Sequence, residues 1–185
     1  MDSSMPQAFN SDFLEAKLLT DKRRLQEIYD LRVLSYEDSP YSVYINKEKF
    51  PNGYFDHLDP LETTYHWIVE EDKKIIGSVR AAIIQNLEAL KDDLPPLELP
   101  QNVPFAYCGR TAVHPGFRSG KVMLLLDHAI RRFITDNSEI KFAFCLAVPE
   151  RVSAVKRLGF QSKGFVPYDW GIGEKTELEA FEFKK

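Results

Sequence analysis

The stretch FAYCGRTAVHPGFRSGKVMLLLDHAIRRF, residues 105–133, decides the predicted fold. Its first part, Phe105–Val113, has the composition of a strand, and the His-Pro-Gly sequence at 114–116 ends that strand. From Val122 to Phe133 the apolar residues recur at helical spacing. The sequence therefore predicts a strand, a tight turn over 117–121 and a helix.

The turn between this strand and this helix carries Arg118, Ser119, Gly120 and Lys121. The first backbone N–H groups of a helix have no partner within it, and they lie at the positive end of its dipole. Such a place attracts anions, phosphate above all. The turn is too short for a P-loop and lacks the spacing of a dinucleotide-binding loop. A plain strand–turn–helix with two solvated cations explains the same residues equally well.

Composition places the chain among ordinary soluble proteins. It has 185 residues, 44% of them hydrophobic and 28% charged, and a formal net charge of −4. We predict one domain over 1–185, with residues 1–11 mobile. Without clustered cations, nucleic acid is not an expected partner.

No apolar run is long enough for a membrane span, and the N-terminal residues do not have the pattern of a signal peptide. We therefore expect no membrane partner and a cytoplasmic protein.

The two cysteines, Cys108 and Cys145, lie in predicted core strands, and we expect them to be buried, reduced thiols. The sequence has neither C-x-x-C nor H-E-x-x-H, so no metal site is predicted.

The other elements follow from the same periodicities. The segment 39–53, rich in aromatic residues, is either a second small helix or a segment that covers a substrate. The order of elements predicts an α/β fold with a mixed, mostly antiparallel sheet and helices on both faces. The predicted elements are a strand within Phe13–Leu19, a helix from Asp21 to Tyr36, strands Thr63–Glu70, Ile75–Ile84 and Ile140–Val148, a helix Pro149–Leu158, and strands Gln161–Val166 and Leu178–Phe183.

The pattern Val113-x-Pro115-x-Phe117-Arg118-x-Gly120 resembles the acyl-CoA signature of the GNAT superfamily of N-acetyltransferases. The element order is that of the GNAT fold as well. Lys121 and Met123 stand where the signature has small residues. Val155 stands where many members have a tyrosine that protonates the departing thiolate. The resemblance implies acyl-CoA or acetyl-CoA as co-substrate, bound by Thr111, Ala112, Val113, Arg118, Ser119, Gly120, Lys121, Val122 and Met123.

The N-terminal half resembles a narrower branch of that fold, the acyl-homoserine-lactone synthases and N-acyl amino acid synthases. That branch reads R-x-x-x-F, D-x-x-D, G-x-x-R and E-x-x-R; here Tyr36 replaces the phenylalanine and Tyr107 replaces the glutamate. The resemblance implies a substrate-binding set of Arg32, Asp56, Asp59, Arg80 and Arg110. The same residues also fit a structural ion network that fixes the first helix and the following loop to the sheet, and both roles can hold at once.

The resemblance further implies that an amine attacks the thioester directly, with no acyl-enzyme. Backbone amides of Thr111–Val113 would then hold the pantetheine arm and polarise the thioester carbonyl. The candidate catalytic residues are Tyr107 and His66. Tyr107 stands at the glutamate position of the branch, and His66 could act as a general base because the ordinary pKa of histidine lies near neutral pH. A half-buried strand histidine with one hydrogen bond explains His66 as well.

The sequence thus favours an N-acyltransferase whose donor is acyl-CoA, or acyl carrier protein as in the narrower branch. Its acceptor is a small-molecule amine, and a homodimer is common in such domains. The first alternative is a non-catalytic acyl-CoA-binding or sensing domain, favoured by the changes at Lys121, Met123, Val155 and Tyr107. The second is a structural α/β domain with a vestigial pocket, because a fold does not determine a function.

Overall fold

The computed structural model describes residues 14–90, 99–100, 102–118 and 120–185. Seven strands and three α-helices lie in these ranges, with short 3-10 turns at Lys22–Arg24, Leu87–Leu90 and Pro115–Phe117. The strands are β1 Ala16–Leu18, β2 Thr64–Glu71, β3 Lys74–Ile84, β4 Phe105–Val113, β5 Phe142–Ala147, β6 Gln161–Asp169 and β7 Lys175–Lys184, and the helices are α1 Leu25–Glu37, α2 Lys121–Asp136 and α3 Pro149–Arg157.

All seven strands form one sheet in the order β1-β2-β3-β4-β5-β7-β6. Among the described strands, β4 and β5 are the one parallel pair, and the other neighbours are antiparallel. The hairpin between β2 and β3 turns at Asp72 and Lys73, whose φ angles of 48° and 67° suit a tight two-residue turn. The predicted mixed, mostly antiparallel sheet is confirmed.

Helices cover both faces of the sheet. Helix α1 packs on β3 and β4 from one side, while α2 and α3 pack from the other. The buried stripe of α2 consists of Val122, Leu126, Ile130 and Ile134, at four-residue spacing. A Cβ placed on Gly77 of β3 would lie 2.4 Å from Val122 Cγ1, so the glycine lets α2 approach the sheet closely.

The sheet opens between β4 and β5. The ladder that joins these strands runs from Phe105 opposite Phe142 to Cys108 opposite Cys145. Beyond that rung the described parts of the two strands are not paired, because parallel strands that diverge cannot hydrogen-bond. A register shift opposite Ser78 and Arg80 marks a bulge in β4, where Arg110 has a φ of 55°. The strands therefore diverge into a fork beside a strained residue.

The predicted elements agree with the observed ones to within a few residues. Helix α2 begins at Lys121, one residue before the predicted start, and β5 begins at Phe142 instead of Ile140. Segment 39–53 forms turns, and no helix occurs in it. The region predicted to be mobile, residues 1–11, lies outside the described residues.

Candidate active site

The fork between β4 and β5 holds a cavity of about 410 Å³, which we call the fork cavity. Its walls come from the end of α1, from β4 and β5, and from the inner sides of α2 and α3. Thr111 and Arg118 line one side, residues 145–148 line the other, and Val155 of α3 closes the back. A largely apolar space between two strands suits a ligand that carries its own amide groups.

Two side-chain contacts join residues that line the fork cavity. The Tyr41 hydroxyl donates to Glu150 Oε2 at 2.8 Å and so joins segment 39–53 to the start of α3. The Arg118 guanidinium donates to the backbone oxygens of Ser35 and Asp38 and, at 2.7 Å, to Asp38 Oδ2. The Arg118 guanidinium is therefore hydrogen-bonded to the end of α1 in the absence of a ligand.

The predicted phosphate-binding turn lies at one end of this cavity. Gly120 caps α2 with a φ of 91°, in the left-handed region that favours glycine. Lys121 is exposed at the first position of the helix, and Met123 lines the cavity. The Val122 side chain is buried in the core, so only its backbone N–H could contact a ligand. Ser119 lies outside the described residues.

The three predicted pantetheine-binding residues of β4 have different surroundings. Thr111 lines the fork cavity, whereas the Ala112 side chain is buried beneath α1. The Val113 N–H donates to Ser35 Oγ at 3.3 Å. The backbone of this stretch has no β5 ladder partner, which leaves its β5-facing groups available within the described part of the sheet.

The five predicted substrate-binding residues form one buried ion network. Arg32 donates from Nη1 and Nη2 to the two carboxylate oxygens of Asp59, both at 2.8 Å. Arg80 Nη1 lies 2.6 Å from Asp56 Oδ1 and 3.1 Å from Asp59 Oδ1. Arg110 Nη2 donates to Asp56 Oδ2 at 2.8 Å. The network fixes α1 and the loop at 56–59 against β3 and β4.

These guanidinium groups keep both carboxylates ionised. Burial alone would raise the pKa of Asp59, but Arg32 and Arg80 outweigh burial and hold that pKa well below its ordinary value. Burial likewise opposes ionisation of Asp56, whose pKa is nevertheless lowered by Arg80 and Arg110. Asp56 and Asp59 are therefore anions across the physiological pH range.

A second cavity of about 330 Å³, the distal cavity, lies beside this network and is lined by Asp56 and Arg110. Aromatic side chains form most of its wall: Phe50, Tyr54, Phe55, Tyr107, Tyr168 and Trp170. A small cavity of about 50 Å³, which we call the connecting cavity, shares Tyr36 and Cys108 with the fork cavity and Tyr107 and Tyr168 with the distal cavity. Arg110 lines all three, so the three spaces adjoin one residue.

The structure separates the two candidate catalytic residues. Tyr107 lines the connecting and distal cavities, and burial raises the pKa of its phenol well above the ordinary value. His66 does not line the three cavities described above. Its Nε2 lies 3.1 Å from the Asp59 backbone oxygen, and burial lowers its pKa to about 4. His66 therefore faces the ion network from β2 and is neutral at pH 7.

Several site residues have no counterpart in the sequence motifs. Tyr54 comes from the loop before the D-x-x-D pattern, and its ring lies 4.2 Å from the Arg110 guanidinium carbon. Tyr168 and Trp170 come from β6 and the turn after it, far along the chain from the other site residues. Aromatic residues next to the Gly-x-Gly turn at 171–173 were the available signal, but no spacing rule connects them to the site.

The two cysteines meet at the base of the fork. Cys108 and Cys145 form the last rung of the β4–β5 ladder, and both line the fork cavity. They are free and buried, as predicted. Burial raises the pKa of the Cys145 thiol to about 12 and raises that of Cys108 well above its ordinary value. Both are protonated thiols at neutral pH, which makes them poor nucleophiles.

Within the described ranges, His, Cys, Asp and Glu side chains form no cluster suited to a metal ion. No helix in those ranges has the length and apolar character needed to cross a membrane.

Comparison with known proteins connects this geometry to a fold family. No family model and no curated protein matches the sequence. Among solved structures, the N-acyl amino acid synthase FeeM from uncultured soil microbes is 11% identical, with a TM-score of 0.64 over 92% of this chain and 90% of that one. The CoA-dependent acyl-homoserine lactone synthase BjaI, solved with SAM and isopentyl-CoA, is 14% identical with a TM-score of 0.64 over 93% and 84%. Escherichia coli ElaA is 16% identical with a TM-score of 0.63 over 92% and 99%.

Proposed function

We propose that this chain, which has the fold of the GNAT acyltransferases, transfers an acyl group from acyl-CoA to the amine of a small molecule. One observation carries the proposal: the fork, connecting and distal cavities all have Arg110 in their walls. A donor in the fork and an acceptor in the distal cavity could therefore meet within the protein. Holding two reactants together in this way is the main contribution that direct acyl transfer needs.

The fork cavity fits the donor. The pantetheine arm carries amides that can pair with the β4 backbone at Thr111 to Val113, where β5 offers no ladder partner. The phosphates would lie at the start of α2, near Arg118, Gly120 and Lys121, where helix N–H groups and cations favour anions. Ser119 and the backbone of Val122 and Met123 belong to the same proposed donor site. Acetyl-CoA is the smallest donor of this class, and acyl carrier protein is a second possible carrier of the same arm.

The proposed chemistry is direct attack of the amine on the thioester carbonyl. A C–N bond forms and the C–S bond breaks; the amine loses a proton, and the thiolate that departs gains one. A backbone N–H of β4 would stabilise the oxyanion as it develops. Val155 is apolar and cannot protonate the thiolate, so that proton comes from another group or from water.

Of the two predicted catalytic residues, we propose that Tyr107 acts on the reacting groups and that His66 is a positioning residue. Tyr107 lines the space where donor and acceptor meet, and its hydroxyl can pass a proton between the amine and water. His66 would act through the ion network, because its contact is Asp59 and not the cavity. On the acceptor side, Asp56 and Arg110 are proposed walls of the distal cavity and Arg80 lines the small cavity beside it. Arg32 and Asp59 line none of these cavities, and we propose that they hold the other three in place.

The alternative is a domain that binds acyl-CoA without turning it over. Val155 in the cavity wall favours it, because that position lacks the tyrosine of many GNAT members. We also keep the cytoplasmic location and the homodimer as proposals drawn from the family.

The test is an acyl-transfer assay that follows free thiol release from acetyl-CoA and octanoyl-CoA with a panel of primary amines. We expect amine-dependent thiol release, with kcat at least tenfold lower in Tyr107→Phe. His66→Ala should lower kcat less, and the exposed His128→Ala should match the unmodified protein. Donor binding without thiol release on every amine would support the sensing domain instead. Full activity in both Tyr107→Phe and His66→Ala would remove these two residues from the mechanism.

A further inference from the structure

The proposed acyl transfer leaves a negative charge in the fork cavity. When the C–S bond of the donor breaks, its electron pair stays on sulfur, so the departing group is a thiolate. In a largely apolar cavity this charge needs either a proton or a neighbouring cation, because an unpaired buried charge is costly. Val155 in the cavity wall is apolar and supplies neither. The other groups that line the cavity must therefore be compared as partners of the thiolate.

The thiols and phenols in the described wall of the fork cavity are poor proton donors to a thiolate. Burial raises the pKa of the Cys145 thiol to about 12 and raises the pKa of Cys108 as well. Burial also raises the pKa of the Tyr36 and Tyr41 phenols, and the Tyr41 hydroxyl already donates to Glu150. An ordinary thiol has a pKa of about 8.5, so all four groups hold their protons more tightly than the departing thiol does.

Among the described residues, three guanidinium groups line the fork cavity, and two of them have several hydrogen bonds elsewhere. Arg110 donates from Nε and Nη2 to Asp56 in the ion network. Arg118 donates from Nη1 and Nη2 to the end of α1, at the proposed phosphate end of the donor site. Arg151 of α3 makes one side-chain hydrogen bond to the described residues, from Nη2 to Asp127 Oδ1 of α2. Its remaining N–H groups are available to a ligand.

Arg151 lies on the cavity side of α3, close to the base of the fork. It precedes Val155 by four residues, so the two side chains lie one turn apart on the same face of the helix, and both line the cavity. Its charge acts on a sulfur atom there: burial raises the pKa of the Cys145 thiol, Arg151 opposes that rise, and Asp127 adds to it. The Arg151 and Asp127 side chains are 22% and 10% exposed, so solvent screens their charges only in part.

We propose that Arg151 is a catalytic residue that stabilises the departing thiolate through a charge-assisted N–H···S contact. This inference rests on the proposed acyltransferase function and assigns the leaving-group step of the same site. The guanidinium stays protonated, so it stabilises charge and transfers no proton. The amine passes its proton to water, directly or through Tyr107. The products are therefore the amide, the thiolate and one proton, and no acid in the cavity wall is required.

The experiment measures the thiol pKa of CoA bound to the protein, through the ultraviolet absorbance of the thiolate during a pH titration. A parallel titration with desulfo-CoA, which lacks the thiol, removes the contributions of the adenine, the tyrosines, Cys108 and Cys145. The bound thiol should have a pKa about one unit or more higher in Arg151→Met than in the unmodified protein, because a nearby cation is lost. Arg157→Met is the matched control, since Arg157 is an exposed arginine of α3 outside the wall of the fork cavity, and it should leave the thiol pKa unchanged.

Two further variants test the sign of the effect. In Asp127→Asn the amide oxygen can still accept from Arg151 while the negative charge is lost, so the thiol pKa should fall below that in the unmodified protein. The double variant Asp127→Asn, Arg151→Met removes both charges and avoids a lone carboxylate buried between α2 and α3. Its thiol pKa should lie between those of the unmodified protein and Arg151→Met. A merely structural role of the pair would not move the pKa in opposite directions.

The acyl-transfer assay gives the second readout. With acetyl-CoA, Arg151→Met should lower kcat roughly tenfold or more, because the stabilised charge develops only as the bond breaks. Binding of desulfo-CoA should be unchanged, since this ligand carries no thiol.

The outcomes separate this inference from the acyltransferase proposal. If the bound thiol has the same pKa in the unmodified protein, in Arg151→Met and in the double variant, the inference is overturned, and amine-dependent thiol release still supports the acyltransferase. If the pKa depends on Arg151 but no amine is acylated, the catalytic role is overturned together with the acyltransferase, and Arg151 is part of a CoA-binding site. Absence of CoA binding overturns both proposals.

Discussion

Replacing Asp59 by asparagine should destabilise the fold strongly, because this carboxylate compensates two buried guanidinium groups. It accepts two hydrogen bonds from Arg32, lies 3.1 Å from Arg80 Nη1, and accepts the Asp56 N–H at 2.9 Å. Removing one partner of a buried ion pair costs about 3–5 kcal/mol, since the other charge stays buried. For a chain of this size the melting temperature should fall by roughly 6–20 °C, at about 2–4 °C per kcal/mol.

The measurement is urea unfolding followed by circular dichroism, with calorimetry for the melting temperature. The matched control is Asp136→Asn, which removes an exposed partner of Arg132 on α2 and should change stability by less than about 0.5 kcal/mol. If Asp59→Asn unfolds at the same urea concentration as the unmodified protein, the network does not hold α1 to the sheet and the reasoning is refuted.

Further predictions concern pH and two glycines. His66 binds its proton less well in the folded state, at a pKa of about 4, than in the unfolded chain, so unfolded protein takes up more protons between about pH 4 and 6.5. The contribution of neutral His66 to the free energy of unfolding is therefore fully present above pH 6.5 and falls by about 3 kcal/mol towards pH 4. His66→Gln should reduce this dependence of the urea midpoint on pH, and His128→Gln should leave it unchanged. Gly77→Ala should cost about 1–3 kcal/mol because its Cβ meets Val122, and unchanged stability would contradict the close approach of α2. Gly120→Ala has open space around it and should cost only about 1 kcal/mol through its positive φ, which the same urea midpoints measure.

Much of the architecture could be predicted from periodicity alone. The change from strand to helical spacing around 114–121 located β4 and the start of α2 to within one residue, because burial imposes both periods. The ends of elements were less certain: β5 begins two residues after the predicted Ile140 because Lys141 N–H bonds to the Pro104 oxygen outside the ladder. Chain-end and loop hydrogen bonds of this kind leave no periodic pattern.

The candidate site was predictable where short motifs carry it. The spacing of Arg32, Asp56, Asp59, Arg80 and Arg110 correctly indicated a set of charged residues that the fold brings together. The direction of His66 could not be predicted, since strand alternation defines two faces without saying which one meets the cavity. Tyr54 and Tyr168 could not be predicted either, because a loop and an edge strand reach the site only through tertiary packing.

The central claim is that the fork between β4 and β5 binds the acyl donor with its phosphates at the start of α2. Calorimetric titration with acetyl-CoA and octanoyl-CoA tests it most directly, beside Arg118→Ala and the control Arg132→Ala, whose exposed side chain lies away from the fork cavity. We predict binding of both donors, at least tenfold weaker in Arg118→Ala and unchanged in Arg132→Ala. Absence of binding to either donor, or equal weakening in both variants, would contradict the account.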